Sequence, residues 1–180
     1  MTTQPRLLPI QELNALDQAG FAAALKPLFE TAPPLAEGLY AARPFASYAA
    51  LLVRAEQVIA GLDEDQKIAV INAHPRIGEN AAAVRQHSAL SYREQGYAAE
   101  AGQDQEELAR VYRELAELNA VYEGHFGFRF VVFVNRRPKA AILEVLRQRL
   151  DNPRPDEMQT ALEAMLAIAR DRLATLESAA

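Results

Sequence analysis

No cysteine occurs among the 180 residues, which excludes a disulfide framework, a thiolate nucleophile and a zinc thiolate site at once. Positive charge is scarce as well: 19 Lys and Arg stand against 24 Asp and Glu, for a net charge of -5. Arg136-Arg137 is the nearest thing to a basic run. Nucleic-acid binding needs a concentrated positive field, so no nucleic-acid partner is expected. No apolar run approaches the roughly 20 residues that cross a bilayer, and the start of the chain has no long apolar core of the kind that marks a secretory leader. The final Glu177-Ser178-Ala179-Ala180 is no peroxisomal tripeptide. A cytoplasmic protein without a membrane partner is the expectation.

Several catalytic signatures are missing too. His74, His87 and His125 do not fall at the i, i+4 or short-loop spacings of common zinc sites, and neither HExxH nor HxH occurs, so no metal is expected. There is no Gly-rich phosphate loop, no Gly-x-Ser-x-Gly elbow and no lysine in an apolar nest suited to a Schiff base. Chemistry falls to His, carboxylate, Arg, Lys, Ser or backbone groups.

Hydrophobic residues make up 50% of the chain and charged ones 24%, a balance that favours a folded globule over disorder. The length fits a single domain over 1–180. Apolar residues recur at three- and four-residue spacing amid plentiful Ala, Leu, Glu, Gln and Arg, which predicts an all-α fold of about eight to ten helices. They are expected near 10–16, 18–29, 34–42, 45–61, 64–73, 78–86, 92–99, 104–125, 138–149 and 155–177. Asp17 and Asp63 read as N-caps, and Pro44 and Pro155 suit helix starts. The run from Phe128 to Val134, β-branched and aromatic between Gly127 and Asn135, breaks the helical pattern. With no second strand to pair with, it reads either as a core segment or as an extended binding wall whose backbone groups need other partners.

Three places hold polar residues whose roles are open. In the last helix Met158, Leu162, Met165, Ala169, Arg172 and Leu176 follow alternating four- and three-residue steps, so an arginine sits in an apolar stripe. It must meet an anion, structural or substrate, or reach out to water. His74-Pro75-Arg76-Ile77-Gly78-Glu79 closes an apolar helix with a sharp turn. Its histidine is either a C-terminal cap or a general acid or base at a rigid corner. Ser91-Tyr92-Arg93-Glu94 has the spacing of a capping box; alternatively Glu94 and Gln95 bind the N–H and C=O edges of a polar heterocycle.

Taken in order, the His74-Pro75 turn, Ser91-x-x-Glu94-Gln95, Leu118-Asn119-Ala120-Val121-Tyr122, Phe126-Gly127-Phe128-Arg129-Phe130-Val131-Val132 and Arg172-Leu173 resemble the OHCU decarboxylase family. OHCU is 2-oxo-4-hydroxy-4-carboxy-5-ureidoimidazoline. The resemblance covers nearly the whole chain, and five pieces in the right order are far more specific than any one. It implies an all-α homodimer with no metal or organic cofactor, acting on a small anionic ureide and yielding S-allantoin in urate breakdown. It also implies that His74 is the catalytic histidine, assisted by Glu94, and that Pro75, Ser91 and Gln95 contact the substrate. The backbone of Phe130, Val131, Val132, Phe133 and Val134 then lines the pocket, and Arg172 meets the anion. Two other readings stay open: a non-catalytic helical scaffold for a ureide-pathway enzyme, and a metal-dependent hydrolase of a related ureide.

Overall fold

Side-chain caps set many of the helix boundaries. Asp17 accepts a hydrogen bond from the Gly20 N–H at 2.8 Å and opens α2 (Gln18–Phe29). Asp63 opens α5 (Glu64–Asn72) with a full capping box, its carboxylate taking the Gln66 N–H while Gln66 takes the Asp63 N–H. Each such cap stabilises a helix by about 1 kcal/mol. Before α2 comes the short α1 (Ile10–Ala15); α3 (Pro33–Ala41) begins on a proline whose missing N–H costs nothing there. Helix α4 (Tyr48–Gly61) starts later than the sequence suggests, because Ser47 and not the region of Pro44 supplies the cap, accepting from Ala50 N–H at 3.1 Å.

The computed structural model describes residues 6–30, 32–102 and 104–178. Residues 1–5, 179 and 180, part of the two ends read for targeting signals, lie outside the described residues. The chain falls into two compact units, one running up to His74 and resuming at Leu162, the other spanning Pro75–Ala161. Among the described residues the fold is all-helical, with ten α-helices, one 3-10 turn and no strand. None of these helices is long and apolar enough to cross a membrane.

The first unit is a core of α1 to α5 with the later part of α10 (Arg154–Ser178). Leu13, Phe21, Leu28, Leu39, Leu51, Ala55, Val70 and Ile71 are fully buried, and so are Met165 and Ala169 of the predicted stripe. Gly38 lets α3 approach α4: a Cβ there would lie 2.4 Å from Val58 Cγ1. Arg43 closes the C-terminal end of α1 by donating to the Asn14 and Leu16 carbonyls, both at 2.8 Å, and stacks 3.6 Å from the Tyr40 ring centroid.

In the second unit, α6 (Ala81–His87), α7 (Ala89–Glu94) and the 3-10 turn (Tyr97–Gly102) precede the long α8 (Gln105–Phe126) and α9 (Lys139–Arg149). Helix α6 begins three residues after the expected 78, since Gly78 adopts a left-handed φ of 76° and Asn80 is the cap, accepting from the Ala82 and Ala83 N–H groups. Helix α8 buries Val111, Leu115, Asn119, Tyr122 and Phe126 along one face and ends on Gly127 at φ 81°. Residues 129–134 form neither helix nor strand, in line with the extended segment read from the sequence.

Candidate active site

Polar residues are buried in four places: in the loop after α5, at the end of α7, beside the segment after α8, and in the later part of α10. His74 directly follows the C-cap residue Ala73, and its N–H donates to Ile71 O at 3.3 Å. Only 4% of His74 is exposed, so the corner histidine is buried and not at an open turn.

Beyond Pro75, the chain is fastened at successive residues of the second unit. Gln95 Nε2 approaches Arg76 O at 3.4 Å, Asn119 Nδ2 donates to Ile77 O at 3.0 Å, and the Gly78 N–H donates to Gln95 Oε1 at 3.2 Å. The Tyr97 hydroxyl hydrogen is shared between Glu79 O at 2.7 Å and Gln95 Oε1 at 3.0 Å. The orientation of the Gln95 amide follows from Gly78, whose backbone N–H has to meet an oxygen. Arg76 turns outward to a bidentate pair with Glu123, with contacts of 2.5 and 2.8 Å, which holds the guanidinium above its ordinary pKa. Gly78 is required twice over: its φ is left-handed, and a Cβ would lie 2.8 Å from Leu115 Cδ1.

Helix α7 carries Ser91, Glu94 and, one residue past its end, Gln95. Here the structure corrects the capping-box alternative. Ser88 is the N-cap, and Ser91, inside the helix, is the residue whose N–H donates to it, at 3.1 Å; Glu94 is the last residue of the helix and not the third after its cap. Ser91 is 4% exposed and Gln95 8%. Behind Gln95, the buried Lys139 ammonium donates to its carbonyl at 2.7 Å, pairs with Glu100, and sits 3.9 Å from the Tyr97 ring centroid. Burial pushes the Lys139 pKa down against the opposing pull of Glu100. It pushes Tyr97 and Tyr112 well up, with the Tyr112 hydroxyl bonded to Glu100 adding to the rise.

The segment from Phe128 to Val134 is anchored by arginines, which answers where some of its backbone acceptors go. Arg149 Nη1 donates to Val131 O at 2.7 Å, and Arg137 donates to Phe133 O at 2.6 Å and Val134 O at 3.1 Å. Phe128, Phe130, Val131 and Val134 are buried, whereas Val132 and Phe133 are partly exposed. Arg149 is held in turn by Glu157, which is wholly buried, at 2.7 Å from its Nε. The same carboxylate accepts from the Tyr122 hydroxyl and from Asn152 Nδ2. Burial, then that bond to Glu157, raise the Tyr122 pKa well above the usual phenol value.

Arg172 lies in the first unit with 1% of its side chain exposed, and its Nη2 sits 2.8 Å from Oε1 of the equally buried Glu30. Of the two partners that the sequence leaves open for this arginine, the structural carboxylate is present. Among the described residues no three His, Asp or Glu side chains converge as a metal site.

A family model described as OHCU decarboxylase matches residues 14–174. The chain belongs to the OHCU decarboxylase family. A relative from Haloferax volcanii named 2-oxo-4-hydroxy-4-carboxy-5-ureidoimidazoline decarboxylase is 29% identical over 93% of this chain and 95% of its own length. The uric acid degradation bifunctional protein PucL of Bacillus subtilis is 32% identical over 94% of this chain, which corresponds to 33% of that longer protein. The fold is shared with a crystal structure of OHCU decarboxylase in the presence of (S)-allantoin, at a TM-score of 0.65 and 24% identity, covering 86% of this chain and 96% of that one.

The sequence does not mark Asn119, Tyr97, Lys139, Glu157 and Glu30 as the supports that the fold makes of them. Asn119 left a signal, as a polar residue in the apolar stripe of α8; Lys139 and Glu30 act across long sequence separations that no local pattern reports, while Tyr97 and Glu157 also reach partners two and eight residues away.

Proposed function

We propose that the protein catalyses decarboxylation of OHCU to S-allantoin in urate degradation, without a cofactor, as a cytoplasmic homodimer. The observation that carries this reading is the end-to-end family match over residues 14–174, with a decarboxylase relative that pairs with 93% of the chain. The reaction breaks the bond between the ring carbon and its carboxylate. The electron pair passes into the ring as CO2 leaves, and a proton is delivered to one face. An enzyme for this step has to bind the anion, align the breaking bond with the ring π-system and control the proton.

In this reading His74 exchanges the proton that sets product handedness, and Glu94 activates the substrate by hydrogen bonding to its hydroxyl or ring. Arg172 holds the anionic group, because a guanidinium matches a carboxylate with two parallel hydrogen bonds. Pro75 and Ser91 touch the substrate, and the backbone from Phe130 to Val134 forms a wall. Gln95 has a double task. Its Oε1 and one Nε2 hydrogen are directed at the loop that follows His74-Pro75, and the second Nε2 hydrogen serves a substrate carbonyl. Burial of His74 supports a proton-transfer role, since exclusion of bulk water limits proton exchange with solvent.

The test generates OHCU from urate with the two preceding enzymes, adds the purified protein, and follows substrate loss together with the optical activity of the product by circular dichroism. Faster decay with S-allantoin accumulating is the expected result. Unchanged decay to racemate by folded protein overturns the reading. Light scattering on the eluted protein checks the dimer.

A further inference from the structure

Helix α2 ends in a manner usual for glycine, yet the residue there is Glu30. Its φ of 58° and ψ of -149° belong to a region that residues with a Cβ enter only against strain. Its side chain is 1% exposed, where an ionised carboxylate is tolerated only opposite a cation. Two separate costs meet in one residue. Arg172 supplies the cation, Nη2 to Oε1 at 2.8 Å, and its Nη1 lies 3.5 Å from the carbonyl of Pro27 in the last turn of the same helix.

Stability does not account for this arrangement. Glycine at position 30 removes the strain, and apolar residues of similar volume generally replace a buried ion pair without loss. What such residues cannot do is fix the direction of a guanidinium. Its planar fork makes directional, paired hydrogen bonds, and a partner carboxylate sets the angle of the plane.

We infer that Glu30 is a positioning residue for the reaction: it holds Arg172 in the orientation that receives the anionic group of the substrate. The inference rests on the reading of Arg172 as the anion partner. The strained backbone is part of the device, since it fixes where the Glu30 Cβ points, and relaxing it would carry the carboxylate away from the guanidinium. Removing only the charge of Glu30 leaves the positive charge of Arg172 to attract the substrate but releases its orientation. Binding is then retained while turnover falls, and a displacement of about 1 Å at a positioning group costs on the order of 100-fold in rate.

The experiment compares kcat and KM for OHCU decarboxylation in the wild type, Glu30→Gln, Glu30→Gly, Glu30→Asp and Arg172→Lys, with thermal melts on each. Expected are a KM raised tenfold or more in Arg172→Lys, and a kcat lowered tenfold or more in Glu30→Gln with KM within threefold of wild type. Glu30→Gly, which relieves the backbone, is expected to lose the same kcat. Glu30→Asp keeps the charge one methylene short and serves if the uncharged variants do not fold; its kcat is expected to fall as well. Wild-type kcat in any folded Glu30 variant, with Arg172→Lys impaired, overturns the positioning role alone. Wild-type kcat and KM in Arg172→Lys overturn the Arg172 reading and this inference with it. Absence of turnover by the wild type overturns the decarboxylase reading as a whole.

Discussion

Replacing Gly78 with alanine tests the loop after His74 most directly. Two independent penalties apply. A φ of 76° places an L-residue in the left-handed region, at about 1–2 kcal/mol. The new Cβ also lies 2.8 Å from Leu115 Cδ1 and 3.1 Å from Leu115 Cβ. Leu115 is fully buried on α8 and has little room to retreat, and overpacking of this kind costs about 1–3 kcal/mol. Together they amount to about 2–5 kcal/mol, a large part of the 5–15 kcal/mol that holds a typical domain. At about 2–4 °C per kcal/mol for a chain of this size, the melting temperature is expected to drop by about 4–20 °C. The assay is a thermal melt by circular dichroism at 222 nm beside Gly61→Ala. Gly61 has neither a positive φ nor any atom within 4 Å of its added Cβ, so that control holds or gains stability. A melting temperature for Gly78→Ala within 1 °C of the control, by the scale just given, refutes the account of the loop.

Other outcomes follow from the same structure. His74→Ala is expected to abolish nearly all acceleration of OHCU decay while the melt stays cooperative; a folded variant with wild-type turnover removes His74 from the mechanism. Glu157→Gln strands the Arg149 charge, which is expected to cost about 3–5 kcal/mol by chemical denaturation. The double variant Glu157→Leu with Arg149→Met should recover most of that loss, and failure to do so means the network contributes more than charge pairing. Burial raises the pKa of Tyr48, Tyr97, Tyr112 and Tyr122 in the fold. The unfolded chain therefore releases these protons first, and stability is lost progressively as the pH rises above about 10. The Lys139 shift works the other way below that pH, since a lowered lysine pKa makes stability rise as the pH approaches 10.5. Tyrosinate absorbance at 295 nm should appear together with loss of helical dichroism, and ionisation of all six tyrosines in a still-folded protein contradicts this.

Local physics was legible in the sequence, and long-range partnership was not. The helical periods, the caps at Asp17 and Asp63 and the apolar stripe containing Arg172 all depend on neighbours within a turn or two, and the structure has them. Ser91 and Glu94 looked like a capping box because their spacing is right, but Ser88, three residues earlier, competes for the same helix and takes the Ser91 N–H. Pro44 looked like a helix start, yet Ser47 offers a side-chain acceptor where a proline offers none. Nothing near Lys139 announces that it reaches Gln95, 44 residues away, and Glu30 follows the last periodic position of its helix, so no stripe marked it as buried. The family resemblance named candidate positions for the chemistry, while the side chains packed around those positions had to be read from the fold.

The division of the chain carries a consequence for its biosynthesis. One unit is continuous, from Pro75 to Ala161, whereas the other closes only with the stretch from Leu162 onward. On the ribosome, where segments emerge in order over many seconds, α1 to α5 are made first but cannot finish. Glu30 lacks the Arg172 cation until that residue has been synthesised, so the unit begun before Pro75 is completed only after Ala161. Nascent chains halted before residue 172 should expose apolar surface of the first unit to chaperones and proteases even when the second unit is already folded.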